Sequence, residues 1–321
     1  MDELANISLI NDALSQIPEQ GTKQSLFESA PNTYIIGCPR SGTTAVSQYL
    51  AATNIWNYPS NFTTRFVASP YMALLLQQGM QDAGVLERGA QISFESSLGR
   101  SKGMLNINEF FHFFRRFLQS NDVAAFSSDY LAKLDLATMF NKLKEPYLIN
   151  NKPFLCKAMM LQYNLLDIMQ FCSNDLFLYI KREPSYVMQS IYQARIQQNG
   201  KLDAWWSMKP LEYSWLQDLS PIEQIAGQVF YTQQTIENAL SKINSKNYLS
   251  IQYSDFTQSP SGVLSQIAEK YSGLGTNINA QMANTLVSAH NLENKNQVKI
   301  DVSIFSALQD AYKQFELKAM V

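Results

Sequence analysis

The segment Gly37-Cys-Pro-Arg-Ser-Gly-Thr-Thr44 constrains this chain more than any other. It follows the short β-branched and aromatic run Thr33-Tyr-Ile-Ile36. It precedes Thr44 to Leu50, where Val46, Tyr49 and Leu50 recur at helical spacing. Strand, glycine-bounded loop and helix in that order form an anion cradle, because backbone N–H groups and the helix N-terminus converge on the loop. The glycine spacing is that of a nucleotide triphosphatase loop, but Thr43 stands where such a loop carries lysine. A less charged group than a triphosphate suits such a cradle, with Arg40 and hydroxyl donors supplying the contacts.

The rest of the chain extends the same architecture. Asp175 to Lys181 reads as a buried strand, and Pro184 opens a helical segment running to Arg195. Phe154 to Cys156 and Tyr248 to Gln252 read as further strands, with helices near 158–172, 221–243 and 261–271. Strands alternating with helices predict an α/β fold: a P-loop-type parallel β-sheet flanked by helices. Residues 53–150 read as a mostly helical, aromatic-rich insertion over the site. No repeat or linker divides the chain, so one domain spanning 1–321 is expected.

Composition narrows the partners. The 321 residues carry a formal net charge of −2, which gives no bulk attraction to nucleic acid or an anionic membrane. Cys38, Cys156 and Cys172 spell neither a disulfide framework nor a metal cluster. The first twenty residues lack a basic segment followed by an apolar run, and no apolar stretch is long enough to span a bilayer. A cytoplasmic chain without metal, membrane or nucleic-acid partner is the expectation.

Arg182 closes the strand at 175–181, and Ser190 follows about two helical turns into the next segment. Both lie where open α/β sheets bind ligands. With these residues in place, the sequence resembles the sulfotransferases that use 3′-phosphoadenosine-5′-phosphosulfate (PAPS). Arg40, Ser41, Gly42, Thr43 and Thr44 match that family's 5′-phosphosulfate loop, and Arg182-Glu-Pro184 with Ser190 match its 3′-phosphate segment. Asn151-Lys-Pro-Phe-Leu-Cys-Lys157 is similar to a segment of tyrosylprotein and bacterial sulfotransferases, which implies that Lys157 touches the bridging oxygen or the sulfuryl group. Tyr253-Ser-Asp-Phe256 with Pro260 resembles the segment after the last core strand, and a weaker likeness at Val287 to Lys299 implies a loop over the nucleotide. The resemblance implies PAPS as donor, adenosine 3′,5′-bisphosphate as product, and a hydroxyl or amine as acceptor. A small natural product is the expected acceptor, a saxitoxin-type guanidinium alkaloid being one such compound.

One departure concerns the base. The family's glutamate after the first helix has no counterpart in Ser60 to Arg65. Within Asn106 to Leu118, residues Ile107, Phe110, Phe111, Phe114, Phe117 and Leu118 would share an apolar helical face, leaving Glu109, His112 and Arg116 on the other. At that spacing Glu109 would orient His112 as general base, or the pair would be an ordinary solvated bridge. Glu95 and His290 are further candidates. Trp205, Trp206, Tyr213 and Trp215 read as core or as an aromatic wall against the acceptor. Two other readings stay open: a small-molecule kinase on the same sheet, and a catalytically silent nucleotide-binding protein.

Overall fold

The computed structural model describes residues 3–18, 29–87, 92–94, 96–97, 100–279 and 292–320. Four strands form one parallel sheet: β1 (Thr33–Gly37), β2 (Leu155–Lys157), β3 (Leu176–Lys181) and β4 (Tyr248–Gln252), in the order β2-β1-β3-β4. Thr33 pairs with both Leu155 and Leu176, so the carboxyl ends of the three strands nearest β1 finish side by side. Every residue of β1 and β2 is buried, as expected of strands covered on both faces.

Alternation along the strands divides the core. Tyr34, Ile36, Phe177 and Tyr179 face one hydrophobic cluster with Phe113, Phe114, Phe140 and Ile236. Ile35, Leu155, Leu178 and Ile180 face the other, with Val46, Leu50, Val263 and Ile267. The second cluster thus covers its sheet face with the helices Thr43–Ala52 and Pro260–Gly273. A third cluster joins the helices Pro184–Asn199, Pro221–Leu240 and Val302–Ala319 through Val187, Ile191, Val229, Leu308 and Phe315. The helix at Pro221 starts on a full capping box between Ser220 and Glu223, and Pro221 occupies the first turn.

Three sequence expectations change. The helix at 158–172 shrinks to a 3-10 turn at Gln162–Asn164 and a single turn at Leu165–Ile168. There the side chains brace other segments: Gln162 Oε1 accepts from Gly37 N at 3.0 Å, and Asn164 holds the Phe126 backbone by both its amide groups. The insertion at 53–150 is helical at Pro70–Asp82, Phe111–Leu118, Ser128–Leu131 and Leu136–Lys144, with long irregular stretches between. Ahead of the sheet, a helix at Glu3–Ser15 is anchored where Asn11 bonds Arg65 O at 2.7 Å and Ala68 N at 3.0 Å.

The third change concerns the aromatic helix. It begins only at Phe111, because the preceding backbone is already engaged. Asn61 N donates to Asn106 O and Asn108 N to Pro59 O, at 2.9 and 2.8 Å, which lays 106–108 along 59–61 as an extended strip. Phe110 then turns through a left-handed conformation (φ 62°), with its N–H held by Asn108 Oδ1. Glu109 therefore precedes the helix, and the expected Glu109–His112 pair across one helical turn does not form. The changed frame buries Phe113, which stacks on Phe110 at 4.6 Å between ring centroids.

Candidate active site

At the carboxyl ends of β1, β2 and β3 lies one cavity of about 890 Å³, within the range of small-molecule and cofactor sites. Its walls include Arg40, Gly42, Thr43, Thr44, Lys157, Arg182 and Tyr253, together with Glu109, Phe111, Arg115, Asp122, Trp206 and Met208. Arg40 and Arg182, one from each expected anion site, thus open on the same space as Lys157, whereas Ser190 is not among its walls.

The loop after β1 is shaped by close approaches. A Cβ at Gly37 would stand 2.7 Å from Ile180 O. Gly42, at φ 103°, passes so near the Tyr253 ring that a Cβ would reach 2.3 Å from its Cδ2. Gly42 is also the N-cap of the helix Thr43–Ala52 and brings no side-chain acceptor, so the first-turn N–H groups remain available to a ligand. Arg40 turns through φ 70°, and its Nε donates to Ser190 Oγ at 2.9 Å. Ser41 is buried beneath the loop, off the cavity wall.

Three cations of the site follow strand ends. Arg182, just past β3, donates to Arg40 O at 3.0 Å and to Asn296 Oδ1 at 2.7 Å, and its guanidinium lies 5.1 Å from the Tyr253 ring centroid. Burial lowers the pKa of both arginines, and the charge of Arg40 lowers that of Arg182 further. Two desolvated guanidiniums on the walls of one cavity favour an anionic ligand. Lys157, at the end of β2 and 2% exposed, donates to Thr44 Oγ1 at 3.1 Å and forms an ion pair with Glu109. Register explains the reach: Ile35 is paired with Lys157, so the lysine stands beside β1 two residues before its glycine.

The other sequence candidates separate clearly. Glu109 lines the cavity, whereas His112 is exposed and absent from its walls, so the structure does not bring that histidine to the site. Glu95 and His290 lie outside the described residues. The segment after them reaches the site, since Lys295 O and Asn296 both accept from Arg182 and Gln297 O accepts from Gln189. The aromatic quartet splits: Trp206 lines the cavity, Trp205 packs edge-on against Tyr213, and Trp215 packs on Tyr231 and Phe315. Sequence reasoning missed Gln162, Arg115 and Asp122 as parts of this site. Gln162, which braces the site from behind its wall, carried no local signal, since what marks it are long-range contacts with Gly37 and Met208.

Among the described residues no group of His, Cys, Asp and Glu is arranged to hold a metal ion, and no helix is long and apolar enough to cross a membrane.

Comparison with known proteins agrees with this fold. Among solved structures, the fold is similar to sulfotransferase STF1 from Mycobacterium tuberculosis H37Rv, at a TM-score of 0.55 and 14% identity over 97% of this chain and 83% of that one. It is similar also to sulfotransferase STF9 from Mycobacterium avium, at a TM-score of 0.54 and 14% identity over 98% and 80% of the two chains. At such identity these likenesses concern the fold. No curated protein sequence matches the chain. The sulfotransferase family model, however, matches residues 31–274, which contain the glycine loop, Lys157, Arg182 and Ser190. This chain belongs to the sulfotransferase family.

Proposed function

We propose that the protein transfers a sulfuryl group from PAPS to a hydroxyl or amine of a small-molecule acceptor, with a natural product as the expected class. The observation that carries this reading is the position of Lys157: it reaches the phosphate-type loop at Thr44 while paired with Glu109, in the cavity that also holds Arg40 and Arg182.

The donor set fits an adenine nucleotide with anions at both ends. Arg40, Thr43, Thr44 and the first-turn N–H groups form the 5′ cradle, and Arg182 with Ser190 forms the 3′ one. PAPS, when bound, supplies an activated sulfuryl group whose transfer leaves charge on the bridging oxygen. Lys157 stands to neutralise that charge from the adjacent strand, and fixed cations in a desolvated site are worth most where charge develops. Glu109 is the carboxylate on the same wall, so it serves as the base that takes the acceptor's proton once Lys157 turns to the nucleotide. The exposed His112 has no role in this arrangement.

A direct test has two readouts. Adenosine 3′,5′-bisphosphate should raise the melting temperature, as a ligand of the folded state does. Sulfur-35 should then move from labelled PAPS to an acceptor. Stabilisation by magnesium ATP in place of the bisphosphate would favour a kinase. Stabilisation by the bisphosphate without transfer to any acceptor would favour a silent nucleotide-binding protein.

A further inference from the structure

Three chain segments build the acceptor side of the cavity. Residues 109–115 bring Glu109, Phe111 and Arg115, residues 121–123 bring Asp122, and the turn at 206–208 brings Trp206 and Met208. Phe111 packs with Met159, Met208 and Val123, which makes the base of this wall apolar. Lys209 joins the second and third segments: its N–H donates to Val123 O, and its ammonium pairs with Asp122, both at 2.9 Å.

Charge on this wall is unbalanced. Lys209 neutralises Asp122, and Lys157 neutralises Glu109. Among the described residues Arg115 has no such partner. Its guanidinium carbon lies 5.7 Å from the centroid of the Phe111 ring, and its Nε is buried with no protein acceptor among the described residues. A cation in the last turn of a helix is favoured by the helix dipole, which accounts for basic residues at both 115 and 116. It does not account for their difference: Arg116 is exposed, whereas Arg115 lines the cavity. Desolvating an arginine costs free energy unless an anion compensates it.

On the reading of the site as a sulfotransferase centre, we propose that the acceptor carries an acidic group beside an apolar body, and that Arg115 is the specificity-determining residue that holds it over Phe111. The acidic group is a carboxylate or a comparable oxyanion, which a guanidinium binds through two parallel hydrogen bonds. A cationic acceptor such as a guanidinium alkaloid would meet like charge at this position.

The protein loaded with adenosine 3′,5′-bisphosphate provides the test. Lactate, a long ω-hydroxy fatty acid and hydroxyphenylpropanoate are titrated, each against its own primary amide, by ligand-observed NMR. At least one acid should bind about tenfold more tightly than its amide, the scale of a charge-assisted hydrogen bond. Arg115→Gln should abolish that preference and Arg115→Lys should keep part of it. Arg116→Gln, with the same change of charge on an exposed neighbour, should keep all of it. A wild type that prefers no acid over its amide overturns the proposal, as does a preference that survives Arg115→Gln. The bisphosphate's own effect on the melting temperature separates the two levels: if it is present while the acid preference is missing, only this inference falls. Without it the nucleotide reading falls and takes this one with it.

Discussion

The proposed nucleotide end of the cavity takes its groups from strand ends and one helix start, whereas the proposed acceptor end takes them from Glu109, the short helix Phe111–Leu118 and irregular chain at 121–123 and 206–208. Ladder hydrogen bonds between β1, β2 and β3 fix the first set, so Arg40, Lys157 and Arg182 keep their spacing as long as the sheet exists. The second set is held largely by side chains that bond backbone. Asn57 donates to the carbonyls of Pro146 and Ile149, Asn61 to those of Ser101 and Gly103, and Asn106 to those of Ser93 and Lys102. Such asparagines satisfy loop backbone that has no ladder to join. The contrast teaches that the proposed donor chemistry rides on the scaffold, while the proposed acceptor choice rests on replaceable contacts.

Lys157→Ala would strike the scaffold end hardest. Transfer of labelled sulfate should fall about 10²–10³-fold, the cost of removing one fixed donor to developing charge. The melting-temperature rise with adenosine 3′,5′-bisphosphate should persist, because Arg40 and Arg182 remain; losing both readouts together would mean that the lysine only builds the pocket. Glu109→Gln tests the meeting point of the two ends. It should cost about 10²-fold in turnover with nucleotide binding intact, while His112→Gln changes neither. An unaffected Glu109→Gln enzyme would remove the carboxylate from the mechanism.

Gly42→Ala probes how tightly the cradle is built. Its Cβ would collide with Tyr253 at a positive φ, so stability should drop by about 1–3 kcal/mol. The bisphosphate should bind more weakly as well, both measurable by thermal denaturation. A neutral substitution would show that the Tyr253 ring yields and that the loop is looser than its geometry implies.

The smallest effect concerns the far end of the sheet. Burial pushes the Asp175 carboxyl up to about 6, although Asn32 N–H and Tyr34 OH both donate to it. The folded state therefore holds this proton more tightly than the unfolded chain, so its contribution favours folding at low pH and is lost as pH rises toward and through 6. From this group alone, stability should decline by about 1 kcal/mol between pH 5 and 7. Asp175→Asn should remove that slope in denaturant titrations and leave turnover unchanged. A slope that persists would assign the effect to another group.

Much of the scaffold was legible because its signals are local. All four strands lie where their β-branched and aromatic runs predicted, and the helices at Pro184, Pro221 and Pro260 start at the prolines that mark them. The loop and Arg182 were readable for the same reason, each sitting next to its strand in sequence. The aromatic helix was misread at its start, because the face pattern of 106–118 cannot reveal that Asn106 and Asn108 bond to residues 59–61. That pairing moved Glu109 out of the helix and toward Lys157.

By itself, then, the sequence determined the parallel sheet, the glycine-bounded loop and the absence of a lysine within it, since periodicity and turn chemistry act over a few residues. Only the tertiary structure decided that Lys157, from the neighbouring strand, brings an ammonium to that loop at Thr44, and that Glu109 rather than His112 faces it. Strand register and long-range backbone pairing set those distances, and neither leaves a mark in the residues that they bring together.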